Sequence, residues 1–226
     1  MSSPIASDKK GPVRTFLIRL HQLLSHNRRV DILAQRIHAL INEKFGDSRE
    51  IRCLDVGCGD MKISQGINRL NARTLWHCID LYDLPPDLEE SREWMRYQKY
   101  DGERIPFGDK SIDVVFFCDV LHHVKGDIPS LLKEASRVGS AILIKDHFEQ
   151  SLYSRRVLQA MDFFGNWSYG VALPEHYFTR ETFDELYRSC GLTLRKIETR
   201  IDLYNHLPII RYLLKPEWHF IALLES

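Results

Sequence analysis

The run Ile51-Arg52-Cys53-Leu54-Asp55-Val56, followed at once by Gly57-Cys58-Gly59-Asp60, restricts the fold more than any other stretch of the chain. A short apolar run that ends in glycines reads as a buried strand. Two glycines directly after it let the backbone turn sharply and approach a ligand closely. In an open α/β sheet, that place outside the carboxyl end of a strand is where ligands bind. Asp80 ends the next β-type run, over 74–79. An acid about 20 residues beyond such a loop accepts the hydroxyls of a ribose.

The rest of the chain repeats the strand–helix alternation. Helical spacing covers 61–70, 128–137, 151–164 and 179–189, and β-type runs cover 94–100, Ile112–Cys118, 141–144, 192–199 and 218–224. Such alternation implies an α/β fold with a parallel sheet and helices on both faces. Ahead of the first strand, Phe16, Leu17, Leu20, Leu23 and Leu24, then Val30, Ile32, Leu33, Ile37, Leu40 and Ile41, recur at helical spacing, and Gly46 closes the second helix. These helices form an N-terminal cap over 13–47, behind a disordered tail at 1–12 and ahead of a main domain at 48–226. The basic residues Arg14, Arg19, His21, Arg28 and Arg29 lie near the apolar face of the cap. They leave room for peripheral membrane contact, but their moderate number favours a helix packed on its own domain.

Composition removes several classes. Lys and Arg total 31 and Asp and Glu total 31, so no global positive field grips nucleic acid. No apolar run approaches the ~18 residues of a membrane span, and the polar N-terminus lacks the core of a signal peptide. The five cysteines form no Cys-x-x-Cys pair and fall mostly in apolar runs, which favours reduced core thiols and a cytoplasmic location.

The loop also selects among nucleoside cofactors. A dinucleotide enzyme uses G-x-G-x-x-G, with pyrophosphate at a helix N-terminus. Here the third glycine is missing, and Asp55 and Asp60 bring negative charge that repels phosphate but suits an ammonium and a sulfonium. Leu54-Asp55-Val56-Gly57-Cys58-Gly59-Asp60 resembles motif I of the class I S-adenosylmethionine-dependent methyltransferases. The stretch from Asp101-Gly102-Glu103-Arg104-Ile105-Pro106-Phe107 to Asp113-Val114-Val115, with Val120-Leu121-His122-His123-Val124, is similar to their type 11 branch.

The resemblance implies a Rossmann-like, doubly wound, seven-stranded, mostly parallel sheet and S-adenosylmethionine as methyl donor. It implies that Asp55, Gly57, Cys58 and Gly59 hold the methionine part, with Asp55 near its amino group. Asp80 would take the ribose and Leu81 would pack on the adenine. Asp101 and Gly102 would meet the adenine amino group, and Asp119 and Val120 would line the methionine end. No Asn/Asp-Pro-Pro-Tyr-type motif follows the fourth strand, which argues against nucleic-acid methylation.

The substrate side is read from placement. Lys145-Asp146-His147 ends the fifth strand. His147 is the preferred general base, because imidazole titrates near neutrality, with Asp146 orienting it or the acceptor. His122 reads as packing or wall, and His123 as lining the substrate. The aromatic insertion over about 148–178 is expected to cover the acceptor, with Asn166, Tyr169, His176 and Tyr177 as polar handles. No spacing among His122, His123 and His147 specifies a metal, so none is expected. The expected activity is methylation of a small hydrophobic or aromatic molecule, at oxygen first and carbon next, the acceptor being free, lipid-linked or carrier-bound. The alternative is a non-catalytic interaction subunit with the same fold. The sequence leaves the oligomeric state open.

Overall fold

The computed structural model describes residues 27–46, 48–84, 88, 94–166, 173–204 and 206–226. The expected tail, the first cap helix over 15–24 and Tyr169 lie outside the described residues.

The described elements are α1 (Asn27–Phe45), β1 (Ile51–Val56), α2 (Lys62–Leu70), β2 (Thr74–Asp80), β3 (Tyr97–Lys99), β4 (Ile112–Cys118), α3 (Ile128–Val138), β5 (Gly139–His147), α4 (Leu152–Asn166), α5 (Arg180–Ser189), β6 (Thr193–Thr199), α6 (Pro208–Leu213) and β7 (His219–Glu225). Short 3₁₀ turns at Leu121–His123 and Pro216–Trp218 follow β4 and precede β7. The sheet order is β3-β2-β1-β4-β5-β7-β6. β7 runs antiparallel to both of its neighbours, and the other pairings are parallel.

Strand period explains the two core layers. Cys53, Cys78, Val114, Phe116, Leu143 and Ile221 face α1 and α2. The alternate positions Leu54, Ile79, Val115, Phe117, Ile144 and Phe220 face α3 and α5. Central strands with cover on both faces become near-continuous apolar runs, which is why β4 is so apolar. α1 buries Val30, Leu33, Ala34, Ile37, Leu40 and Ile41. That stripe is the 3.6-residue period of an amphipathic helix, and it packs on α2. Gly46 ends α1 at φ 68°.

Two strands differ from the sequence reading. β3 is three residues long instead of the seven at 94–100, because Arg96 takes φ 48° and breaks the extended run. β5 extends well past 141–144. The antiparallel β7 supplies a ladder partner for each late residue, pairing Lys145 with Ile221, Asp146 with Phe220 and His147 with His219. Lys145-Asp146-His147 is therefore strand, held on a rigid element rather than a turn.

The insertion has its own small core of Leu158, Tyr177, Leu214 and Trp218. Within it, buried Glu149 accepts from Arg155 at 2.8 and 2.6 Å and from the Tyr177 amide at 3.0 Å. Thr179 and Thr182 form a reciprocal capping box that starts α5. No helix among the described residues is long and apolar enough to cross a membrane. The five cysteines are free thiols.

Candidate active site

The carboxyl ends of β1, β2, β4 and β5 converge on one edge of the sheet, and nearly all the singled-out residues lie there. On the β1 side, Gly57 takes φ 73°, and a Cβ on it would sit 2.7 Å from Val120 Cγ2. Only glycine fits both the backbone and the gap. The Gly59 amide donates to Asp80 Oδ2 at 2.9 Å, and the Tyr82 amide donates to Oδ1 at 3.2 Å. Asp80 is thus aimed at the loop by backbone donors. Cys58 is buried, with its thiol against that of Cys78.

Asp55 is 3 % exposed and accepts from the Ser64 hydroxyl on α2, while its Oδ1 has no partner among the described residues. Burial raises its pKa to about 7, the Ser64 bond opposes the rise, and Asp80 and Asp60 add to it. An orphaned carboxylate oxygen inside a glycine loop lacks a cation donor. The ammonium of an amino-acid cofactor supplies one, so these residues fit the methionine end of S-adenosylmethionine. Further along, Leu81 is 48 % exposed, and a Cβ on Gly102 would lie 2.8 Å from its Cδ2. This apolar ledge suits a base. Asp101 lies just past β3. Its Oδ1 accepts from the Glu103 and Arg104 amides at 2.9 and 3.1 Å, which holds its pKa below the usual carboxylate range. Its exposed carboxylate closes its own turn.

The β4–β5 side holds a dense charged network. Asp119 adopts a left-handed backbone, φ 55°, just past β4. Its carboxylate pairs with Arg29 of α1 and with Lys145 of β5, and lies 3.3 Å from His147 Nδ1. Burial works against the carboxylate, yet the facing charges of Lys145 and Arg29 hold its pKa far below the usual range. Asp119 therefore serves as the counter-ion of two cations at this edge of the sheet. Lys145 is fully buried, and its Nζ also donates to His147 Nε2 at 3.3 Å. Burial and the Lys145 charge push the His147 pKa down. His219, at the start of β7, is buried with neither ring nitrogen partnered among the described residues, and burial pushes its pKa well down.

Asp146 lies 3.7 Å from His147 Nδ1 and also meets a second histidine. Its Oδ1 accepts from His122 Nδ1 at 2.6 Å and from the His147 amide at 2.7 Å. His122 Nε2 lies 3.4 Å from Asp162 Oδ2 on α4, and Asp162 accepts from the Tyr177 hydroxyl. Although burial opposes it, the two carboxylates raise the His122 pKa to about 10, Asp146 contributing most. Burial and Asp162 push the Tyr177 phenol up.

The fold thus groups Asp146, His147, His123 and Tyr177, the His122 ring lying 4.2 Å from His123 and 5.1 Å from Tyr177. It does not bring in His176, whose side chain is 65 % exposed beside Glu149. Asn166 is the last residue of α4. Sequence reasoning gave no site role to Arg29, Ser64, Lys145, Asp162 or His219. The available signals were a lysine in an apolar strand and a histidine opening the last strand.

Residues 54–141 match the family described as a methyltransferase domain, type 11. A search of curated protein sequences finds no match. Among solved structures, the chain is similar to one in the Haloferax volcanii complex of a methyltransferase with the Trm112 methyltransferase activator. That pair has TM-score 0.63 and 13% identity, over 88% of this chain and 90% of that one. It is similar to a SAM-dependent methyltransferase from Aquifex aeolicus, with TM-score 0.57 and 12% identity over 93% and 96% of the two chains. It is also similar to a Thermotoga maritima protein described as a SAM-dependent methyltransferase and possible histamine N-methyltransferase, with TM-score 0.58 and 16% identity over 93% and 95%. With the glycine loop, the aimed acids and the 3-2-1-4-5-7-6 sheet, the match over residues 54–141 sits in a chain that has the fold of the solved S-adenosylmethionine-dependent methyltransferases.

Proposed function

We propose that this protein methylates a hydroxyl oxygen of a small molecule, with His147 as general base. The observation that carries the reading is a neutral, buried histidine on a rigid strand end, beside the cofactor edge and next to two carboxylates. Asp55, Gly57 and Gly59 hold the amino-acid end of the cofactor, Asp80 its ribose, and Leu81 with Gly102 its base. Bound there, the cofactor supplies a methyl group on a sulfonium that leaves as a thioether. The acceptor hydroxyl replaces Lys145 at His147 Nε2, and Lys145 keeps Asp119. His147 takes the hydroxyl proton as the oxygen attacks the methyl carbon. The resulting imidazolium is stabilised by Asp119 and Asp146, 3.3 and 3.7 Å from Nδ1.

The test is transfer of a tritiated methyl group to a metabolite and lipid extract of the source cells. His147→Ala should lose transfer by about 10²–10⁴-fold while keeping affinity for S-adenosylhomocysteine. Undiminished transfer removes His147 as base. The Lys145 bond that now occupies Nε2 also fits a second reading, an interaction subunit that binds the cofactor without turnover. The methyltransferase seen in complex with an activator shows that such folds take protein partners. Cofactor binding with no transfer to any fraction favours it.

A further inference from the structure

His122 is arranged as metal-ligating histidines are. Such a ligand gives one ring N–H to a carboxylate and leaves the other nitrogen for the ion. His122 Nδ1 meets Asp146 Oδ1 at 2.6 Å, which fixes the tautomer. Its buried Nε2 faces Asp162 across an ion-pair gap, and an ion there would displace the proton that the two carboxylates favour. Asp162 Oδ2 stands 3.4 Å from that nitrogen. Two ligands each about 2.0–2.1 Å from a tetrahedral ion lie about 3.3 Å apart. His122, His123 and Asp162 offer one ligand atom each within 4.8 Å of one another. Asp162 in turn accepts from Tyr177, an outer hydrogen bond of the kind that steadies a ligating carboxylate.

The neighbouring trio of His122, Asp146 and His147 also lies within 4.8 Å. Its short His122–Asp146 contact is a hydrogen bond and leaves no room for an ion between the two. The absence of a sequence spacing motif does not weigh against the first trio. Its ligands come from a 3₁₀ turn and a distant helix, and only the fold brings them together.

We propose that His122, His123 and Asp162 bind one divalent transition-metal ion, with Asp146 holding His122 from behind. Two imidazoles and one carboxylate suit zinc, cobalt or ferrous iron rather than magnesium or calcium. Three protein ligands leave a position open, as in catalytic sites. Because the rings of His122 and His147 are 5.5 Å apart, the ion would hold an acceptor oxygen near the proposed base and lower its pKa. That role rests on the methyl-transfer reading; the site itself does not. Asp162 would also tie the insertion to the sheet through the ion.

Metal-free full-length protein is titrated with Co²⁺, whose visible absorption reports nitrogen and oxygen ligands, and with Zn²⁺ by calorimetry. The expected result is one ion per chain, with a proton released on binding. His122→Gln and Asp162→Asn should each weaken binding at least about tenfold, and Asp146→Asn by roughly 10–100-fold. Should His122→Gln fail to fold by circular dichroism, His123→Gln and Asp162→Asn, at less buried positions, carry the same comparison. No cobalt band, or binding that both variants leave unchanged, overturns the proposal and assigns any bound ion to surface histidines such as His176. S-adenosylhomocysteine affinity is measured in parallel. Metal bound without it sinks the methyltransferase reading alone, and the reverse sinks the metal site alone.

Discussion

Asp55→Asn should stabilise the cofactor-free protein while weakening cofactor binding. The Asp55 pKa is raised from 3.8 to about 7. A difference of about 3 units at about 1.4 kcal/mol each puts the cost of ionised Asp55 in the folded state near 4 kcal/mol above pH 7. The sign follows from the raised value. The folded state binds the proton more tightly, so this contribution is full below pH 3.8 and is lost as pH rises towards 7. An asparagine oxygen still accepts from Ser64. Its amide nitrogen then lies where Oδ1 was orphaned, and an unpaired buried donor costs about 1–3 kcal/mol. The net gain at pH 8 is about 1–3 kcal/mol, and Tm rises by roughly 2–4 °C per kcal/mol for a chain of this size. Cofactor binding moves the other way. Loss of a charged hydrogen bond to the ammonium, about 1.5–3 kcal/mol, raises the Kd for S-adenosylhomocysteine roughly ten- to hundredfold. Thermal melts from pH 4 to pH 8 and calorimetric titrations read both effects. A variant less stable than the parent at pH 8, or an advantage that shrinks as pH rises, would refute the reasoning.

Gly57→Ala places a methyl group 2.7 Å from Val120 on a backbone at φ 73°. It should cost about 1–3 kcal/mol and abolish cofactor binding, as read by denaturant midpoint and calorimetry. Asp119→Asn leaves Arg29 and buried Lys145 without their shared counter-ion, at a cost of roughly 3–5 kcal/mol in urea unfolding. Burial lowers the pKa of His147 and His219. The unfolded chain therefore binds more protons below pH 6.5, and stability should fall as pH drops below that value. His219→Leu should flatten this acid limb in pH-dependent melts. His122 has the opposite sign, with a pKa raised to about 10. Its stabilisation is full below pH 6.5 and is lost as pH rises towards 10, and His122→Gln should remove that alkaline slope.

The sheet and the cofactor edge were legible because both are encoded locally. Apolar period and terminal glycines mark β1, and Asp80 and Gly102 close strand ends that the sequence itself punctuates. Asp101 and Asp119 were placed at strand ends, but the contacts each makes within the protein were not read. A carboxylate followed two and three residues on by free amides closes a turn, and a left-handed residue beside a lysine strand collects cations. Neither pairing is visible without backbone geometry. Asp162 and His219 were invisible as site residues. Asp162 depends on where the insertion folds back, and His219 on the antiparallel return of β7. The β5 ladder was read too short for the same reason, since its last three residues are strand only because β7 pairs with them.

The distribution of charge among the buried histidines follows from which carboxylates they meet. His122, His147 and His219 lie in a row, with ring centroids 5.5 and 4.9 Å apart. All are desolvated, and burial alone would keep each neutral. Among the described residues, only His122 faces two carboxylates that no lysine or arginine neutralises. The nearest carboxylate to His147, Asp119, is already shared by Arg29 and Lys145. Lys145 therefore does more than fill a strand position. By occupying Asp119 and adding its own charge, it keeps His147 unprotonated at the pH where a base is required. Lys145→Met should raise the His147 pKa and move the acid limb of the transfer rate to higher pH. An unshifted limb in that variant would break the link between the buried lysine and the proposed base.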